Sequence, residues 1–310
     1  YGGTRFTVTA CEPPSGYVDN SDDCNDLLST AYPGAKEVCD GADNNCDGYI
    51  DEDVLLTWYL DNDEDGKADD PAVLARMVAD GASMVYVADL DNTGAAAVAE
   101  EIGGVGVGID VTDEDAIVAL IEQVERDHGP IDLWAGNAGI VSNGGVELSD
   151  DEWNANRNVN VLAHMKACRH LVPRWIQRGS GHLLITASAA GLLTNLGAAP
   201  YAVTKHGAVA LAEWIAITHG DAGIGVSCLC PQGVRTPMTE ADGELAIEVV
   251  KAMGMIEPEE VAEAVSVGLA NDDFLILPHP EVARYELNRA GDRGRWLAGM
   301  RRLQATLPGS

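Results

Sequence analysis

The sequence predicts an α/β domain on a doubly wound parallel sheet, running from about residue 71 onward and preceded by a small irregular acidic module. Three observations carry this. After Pro71, short and nearly continuous apolar runs alternate with amphipathic helical stretches, as expected of strands covered on both faces by helices. Polar residues suited to chemistry fall just after those runs, at the carboxyl ends of the strands, where such sheets bind ligands. Before Pro71 the composition changes. Only Arg5, Lys36 and Lys67 are basic, against a dense array of Asp, and Cys11, Cys24, Cys39 and Cys46 crowd together.

The elements follow in order. Residues 72–80 are expected to form a helix, 84–88 a strand, 93–100 a helix, 105–109 a strand and 113–128 a helix. A strand at 131–135 leads into a long helical region over 150–178. Next come a strand at 182–186, a helix at 201–219, and strands at 225–229 and 274–277. The apolar run 55–60 is placed to serve as the first strand. A dinucleotide-binding sheet follows that strand with a glycine-rich turn, whose backbone N–H groups approach the pyrophosphate. Here the turn reads Asp63-Glu64-Asp65-Gly66-Lys67-Ala68-Asp69-Asp70, with a single glycine. A carboxylate within about 5 Å of a pyrophosphate costs several kcal/mol at an effective dielectric of about 20. The first strand and its turn are therefore read as atypical or missing, at a junction where an acidic repeat is spliced onto the sheet domain.

The net charge of −31 excludes nucleic acid and anionic membrane surfaces as natural partners, because phosphates would repel the chain. Divalent cations fit it. Asp43, Asn45 and Asp47 alternate ahead of Gly48 and Asp51, and Asp61, Asp63 and Asp65 alternate ahead of Gly66. Alternating oxygens followed by glycine begin a loop that wraps one hard cation. The loops are not EF-hands, since the twelfth positions are Val54 and Ala72 rather than Glu. Four close cysteines suggest disulfides, with three pairings open and Cys39–Cys46 with Cys11–Cys24 preferred. Cys168, Cys228 and Cys230 lie in apolar runs as inert core thiols. The chain opens on Tyr1, as a piece that has lost its start would.

Spacing also sets a phenol beside an amine. Tyr201 and Lys205 are four apart in a helical run and share one face. A lysine cation at about 4 Å is worth roughly 4 kcal/mol at a dielectric of about 20, which favours a phenol that trades its proton. Asp89, at the end of the 84–88 run, suits the two ribose hydroxyls of adenosine and repels a 2′-phosphate, which favours NAD over NADP. The alternative is that Asp89 only caps the next helix.

Asn137-Ala138-Gly139, Asn160 after Val159, Ser188, Tyr201-Ala202-Val203-Thr204-Lys205, and Pro231 through Val234-Arg235-Thr236 resemble, in order and spacing, the motifs of short-chain dehydrogenases/reductases. The resemblance covers about 72–280 and implies a Rossmann-like fold. It implies hydride transfer between nicotinamide and a secondary alcohol or carbonyl, with a small-molecule substrate and a homo-oligomeric assembly. Ser188 would hydrogen-bond the reacting oxygen, Tyr201 carry the proton, Lys205 hold the nicotinamide ribose and Asn160 support a relay water. Asp89, Asp110, Val111, Asn137, Ala138, Gly139, Tyr201, Lys205, Pro231, Val234 and Thr236 would hold the NAD. The family's substrate lid corresponds to 236–255, where Met238, Met253 and Met255 point to an apolar substrate.

Residues 1–66 resemble a bacterial extracellular acidic repeat that binds metal. This implies calcium on Asp43, Asn45, Asp47, Asp51, Asp61, Asp63 and Asp65, and a boundary between modules of 1–66 and 67–310. The two parts imply different locations, cytoplasmic for the dehydrogenase and extracellular for the repeat. The competing function is a calcium-binding structural module carrying an impaired dehydrogenase as passenger.

Overall fold

A computed structural model describes residues 55–59, 71–236 and 254–306 of the chain. The strands are β1 (Leu55–Tyr59), β2 (Met84–Asp89), β3 (Val105–Gly108), β4 (Leu133–Gly136), β5 (Gly181–Thr186), β6 (Ile224–Leu229), β7 (Gly233–Val234), β8 (Met255–Ile256) and β9 (Leu275–Ile276). Seven of them form one sheet in the order β3-β2-β1-β4-β5-β6-β9, with every pairing parallel. The remaining two, β7 and β8, pair with each other.

The placement of β1 corrects the reading of a lost first strand. Leu55–Tyr59 occupies the middle of the sheet, in register with β2 from Leu55 opposite Met84 and with β4 from Leu56 opposite Leu133. It lies before residue 67, so the sheet recruits chain from the stretch that composition assigns to the acidic module. Eleven residues, 60–70, join it to the next helix, well beyond the usual two to six of a βα connection.

The helices are α1 (Pro71–Ala79), α2 (Asn92–Ile102), α3 (Glu114–His128), α4 (Asp150–Arg157), α5 (His164–Arg178), α6 (Ala189–Leu193), α7 (Ala199–His219), α8 (Pro258–Ala270), α9 (Glu281–Gly291) and α10 (Arg293–Gln304). Side-chain alternation along the strands sorts them onto two faces. Tyr86, Ala88, Trp134, Leu183, Ile185, Val226 and Cys228 pack with Ile117 of α3, Leu171 of α5 and Val209 of α7. Val85, Val87, Leu133, Ala135 and Leu184 pack with Leu74 of α1, Val98 of α2 and Val265 of α8. Each fully buried Leu or Ile contributes roughly 1.5–3 kcal/mol. Cys168, Cys228 and Cys230 are buried free thiols, and burial pushes Cys168 up to about 12.

The helical region expected over 150–178 is interrupted. Ser149 opens α4 with a reciprocal capping box to Glu152. Between α4 and α5 the backbone widens into a π-helical segment, Asn158–Ala163. Such segments often occur at functional sites. This one brings both Asn160 and His164 into the interior, at 0% and 3% exposure.

Candidate active site

The expected site residues gather at the carboxyl ends of β4, β5 and β6. Ser188 follows β5 and caps α6, its Oγ accepting the Ala190 N–H at 3.1 Å and lying 3.5 Å from the Pro231 carbonyl. Helix α7 starts with Pro200 in its first turn, where a missing N–H costs nothing. Tyr201 and Lys205 follow one turn apart. The Lys205 Nζ donates to the Thr186 carbonyl at 3.0 Å and sits 5.5 Å from the centre of the Tyr201 ring. Helices α6 and α7 approach closely because position 191 is glycine. A Cβ there would stand 2.6 Å from the Lys205 carbonyl oxygen. The backbone leading to Ser188 and the helix carrying Tyr201 and Lys205 are thus held against one another.

Asn160 acts as a brace. Its Oδ1 accepts the Ile140 N–H at 2.7 Å, and its Nδ2 donates to the Ile140 carbonyl and to Thr204 Oγ1, both at 2.9 Å. Thr204 passes the bond on to the Pro200 carbonyl at 2.8 Å. Both amide protons are therefore engaged in tying the loop after β4 to α7, beside Lys205.

The structure also brings in His164, which spacing did not single out. It stands four residues after Asn160 and packs against Gly136 at the end of β4, where a Cβ would meet its Nδ1 at 2.6 Å. Burial, together with the Lys205 charge, lowers its pKa to about 3. Among the described residues its Nε2 has no hydrogen-bond partner. The available signal was the pairing of His164 with Asn160 one helical turn apart.

On the other side of the sheet midline, Asp89 ends β2 with 2% exposure. Its Oδ1 accepts the Asp91 N–H at 2.6 Å. The cap of α2 is Asp91, whose side chain accepts the Thr93 N–H at 2.9 Å. Capping therefore does not account for a buried carboxylate at position 89. Asp110 lies in the turn after β3 and takes the Thr112 N–H at 2.8 Å, while Val111 packs on the core. Asn137 is half-buried after β4, and Ala138 and Gly139 are buried. Pro231, Val234 and Thr236 line the stretch after β6, half-buried. His279 fastens that stretch: its Nδ1 accepts the Gln232 N–H at 3.1 Å and its Nε2 lies 3.0 Å from the Gly254 carbonyl.

Asp43, Asn45, Asp47, Asp51, Asp61, Asp63 and Asp65 lie outside the described residues, as do Cys11, Cys24, Cys39 and Cys46, Met238 and Met253, and the turn 63–70. Among the described residues no cluster could hold a metal ion, and no helix is long and apolar enough to cross a membrane.

Residues 71–245 match the family model for short chain dehydrogenases, and residues 23–52 match a family model for a metal-binding motif. The chain is 34% identical over 192 residues to a 3beta-hydroxysteroid dehydrogenase of Mediterraneibacter gnavus, covering 59% of this chain and 69% of the relative. It is 32% identical over 231 residues to the 1-deoxy-11-beta-hydroxypentalenate dehydrogenase of Streptomyces avermitilis, covering 72% and 83%. A short chain dehydrogenase/reductase from Burkholderia phymatum, solved in complex with NAD, superposes with a TM-score of 0.68 at 24% identity, over 78% of this chain and 95% of that one.

Proposed function

The chain belongs to the short-chain dehydrogenase family, and from that premise we propose an NAD-dependent oxidoreductase acting on a secondary alcohol or carbonyl of an apolar ring skeleton. The observation that carries the reaction is Lys205 anchored on the Thr186 carbonyl and lying over the Tyr201 ring, beside the backbone that presents Ser188. The two relatives act, by their names, on a hydroxysteroid and a hydroxypentalenate. Met255 and the sequence around it favour a substrate of that apolar kind.

The described residues fit a nicotinamide dinucleotide at both ends. Asp89 supplies a buried carboxylate for the adenosine ribose, with Asp110 and Val111 beside it. Asn137, Ala138 and Gly139 flank the middle, and Tyr201, Lys205, Pro231, Val234 and Thr236 surround the nicotinamide end. When bound, the cofactor supplies the two-electron hydride acceptor or donor. In the oxidation direction Ser188 positions the hydroxyl oxygen, and Tyr201 takes the hydroxyl proton as the carbon–hydrogen bond breaks. Lys205 stabilises negative charge on the phenol oxygen. Asn160 keeps the loop after β4 and helix α7 in register. NAD is preferred because a 2′-phosphate would face the Asp89 carboxylate. Asp89→Ala is expected to raise the kcat/KM for NADP relative to NAD by about tenfold or more. An unchanged ratio would return Asp89 to a structural role.

A second reading rests on the metal-binding motif match at 23–52. In it, calcium held by Asp43, Asn45, Asp47 and Asp51, and by Asp61, Asp63 and Asp65, orders an extracellular module, and the dehydrogenase part is impaired by the acidic turn 63–70. We place the boundary between the parts just before Leu55, because β1 belongs to the sheet. Fluorescence titration of the purified chain with NADH, in chelator and again in millimolar calcium chloride, separates the readings. The enzyme reading expects micromolar affinity in at least one condition. Affinity in calcium alone would make the ion part of the phosphate site, and none in either would leave the passenger.

A further inference from the structure

In a chain of net charge −31, six of the nineteen basic residues fall in the last thirty positions: Arg284, Arg289, Arg293, Arg295, Arg301 and Arg302. Only Glu281, Glu286 and Asp292 accompany them there. Elsewhere among the described residues every arginine but Arg157 is paired. Arg76, Arg126, Arg169, Arg174, Arg178 and Arg235 each meet a carboxylate within 4 Å. Among the described residues none of the six C-terminal arginines forms an ion pair. They sit on the α9–α10 hairpin, and α10 has no buried residue. Between the two helices runs an open cleft of about 420 Å³ whose lining includes Leu287, Arg295, Trp296, Met300 and Arg302. Leu287 and Leu297 are 73% and 49% exposed beside it. Five exposed arginines outside any ion pair, with Arg289 turned to His206, on a helix pair whose cleft also carries Leu287, Trp296 and Met300, describe a surface shaped for an anionic partner.

We propose that this partner is the chain's own acidic segment, residues 1–53, docked on the α9–α10 hairpin. Charge complementarity selects it: residues 1–53 carry twelve carboxylates against Arg5 and Lys36. Covalent attachment adds to this, since a tethered segment acts at an effective concentration of about millimolar. Attached at Leu55, fifty-odd residues can span any distance within the domain, at up to about 3.3 Å each. Single exposed ion pairs are worth only about 0.2–1 kcal/mol, so the contact depends on many of them and must weaken with salt. The docked segment would lie one helix from the site, because α9 packs against α6, which Ser188 caps.

Amide hydrogen exchange on the full chain tests this. In about 20 mM sodium chloride the α10 peptides should exchange roughly tenfold more slowly than in about 500 mM, while α7 peptides stay unchanged. Arg295→Glu with Arg301→Glu and Arg302→Glu should abolish that protection without unfolding, since all three side chains are exposed. A full-length chain with the twelve carboxylates changed to amides should lose it too. Equal exchange of wild type and the amide chain would overturn the proposal. Protection that disappears on dilution from about 50 to 1 µM would assign the surface to a second copy instead. Hairpin-dependent capture of the wild type by phosphatidylserine vesicles at low salt would show the arginines open to a membrane, and would also overturn it.

Discussion

Tyr201→Phe is expected to reduce NAD-dependent oxidation of a panel of cyclic secondary alcohols by about 10³-fold or more, while the folded structure persists. General acid–base groups contribute about 10²–10⁴. The ring remains to pack under Lys205, whose Nζ keeps its bond to the Thr186 carbonyl, so only the proton carrier is lost. Absorbance of NADH gives the rate, and circular dichroism with a urea melt gives the fold. Turnover within a few-fold of wild type, in a variant as stable as wild type, would remove Tyr201 from the mechanism.

Acid should weaken the fold through His164. In the folded chain, burial and then the Lys205 charge keep this imidazole neutral down to a pKa of about 3. In the unfolded chain it takes up a proton below about pH 6.5. The unfolded state therefore holds the extra proton between those limits. Stability from this residue is intact above about pH 6.5 and falls as the pH drops through the window. At pH 5 the loss is on the order of 2 kcal/mol. His164→Leu should reduce the difference in unfolding free energy between pH 7 and pH 5 by about that amount, measured by urea denaturation. Part of the slope should remain, because burial also lowers His182. Parallel pH dependence in wild type and variant would sink the assignment.

The parts of the fold legible in the sequence were those whose signal is local. Strands β2, β4, β5 and β6 are buried on both faces and so appear as unbroken apolar runs. Helix α3 announces itself through Asp113, which does cap it, taking the Asp115 N–H at 2.9 Å. The first strand was ambiguous because the resemblance to an acidic repeat runs through it, over residues 1–66. What decides it is pairing with Met84 and Leu133, and pairing partners leave no mark on a five-residue run. The π segment was invisible for a related reason. One extra residue per turn shifts inward-facing positions without altering composition, so the bonds of Asn160 to Ile140 and Thr204 could not be read from spacing. Helix α6 is too short to show periodicity, and α8, α9 and α10 lie beyond the motifs. In the candidate site, Ser188, Tyr201 and Lys205 were singled out by the order and spacing of motifs that resemble a family, and the structure brings them together. His164 was not, because a histidine on an apolar face is ordinarily core.

The central position of β1 has a geometric consequence for the acidic sequence on either side of it. All seven strands of the large sheet run the same way, and the candidate site residues lie at their carboxyl edge. Chain preceding Leu55 therefore joins the sheet at the far edge, and chain following Tyr59 leaves on the catalytic side. Five extended residues separate the two points by about 16 Å. The acidic sequence before and after the strand consequently attaches at opposite rims of one layer. A charge change introduced just after Tyr59 is therefore expected to enter the layer on the side of the candidate site, and one introduced just before Leu55 on the other side.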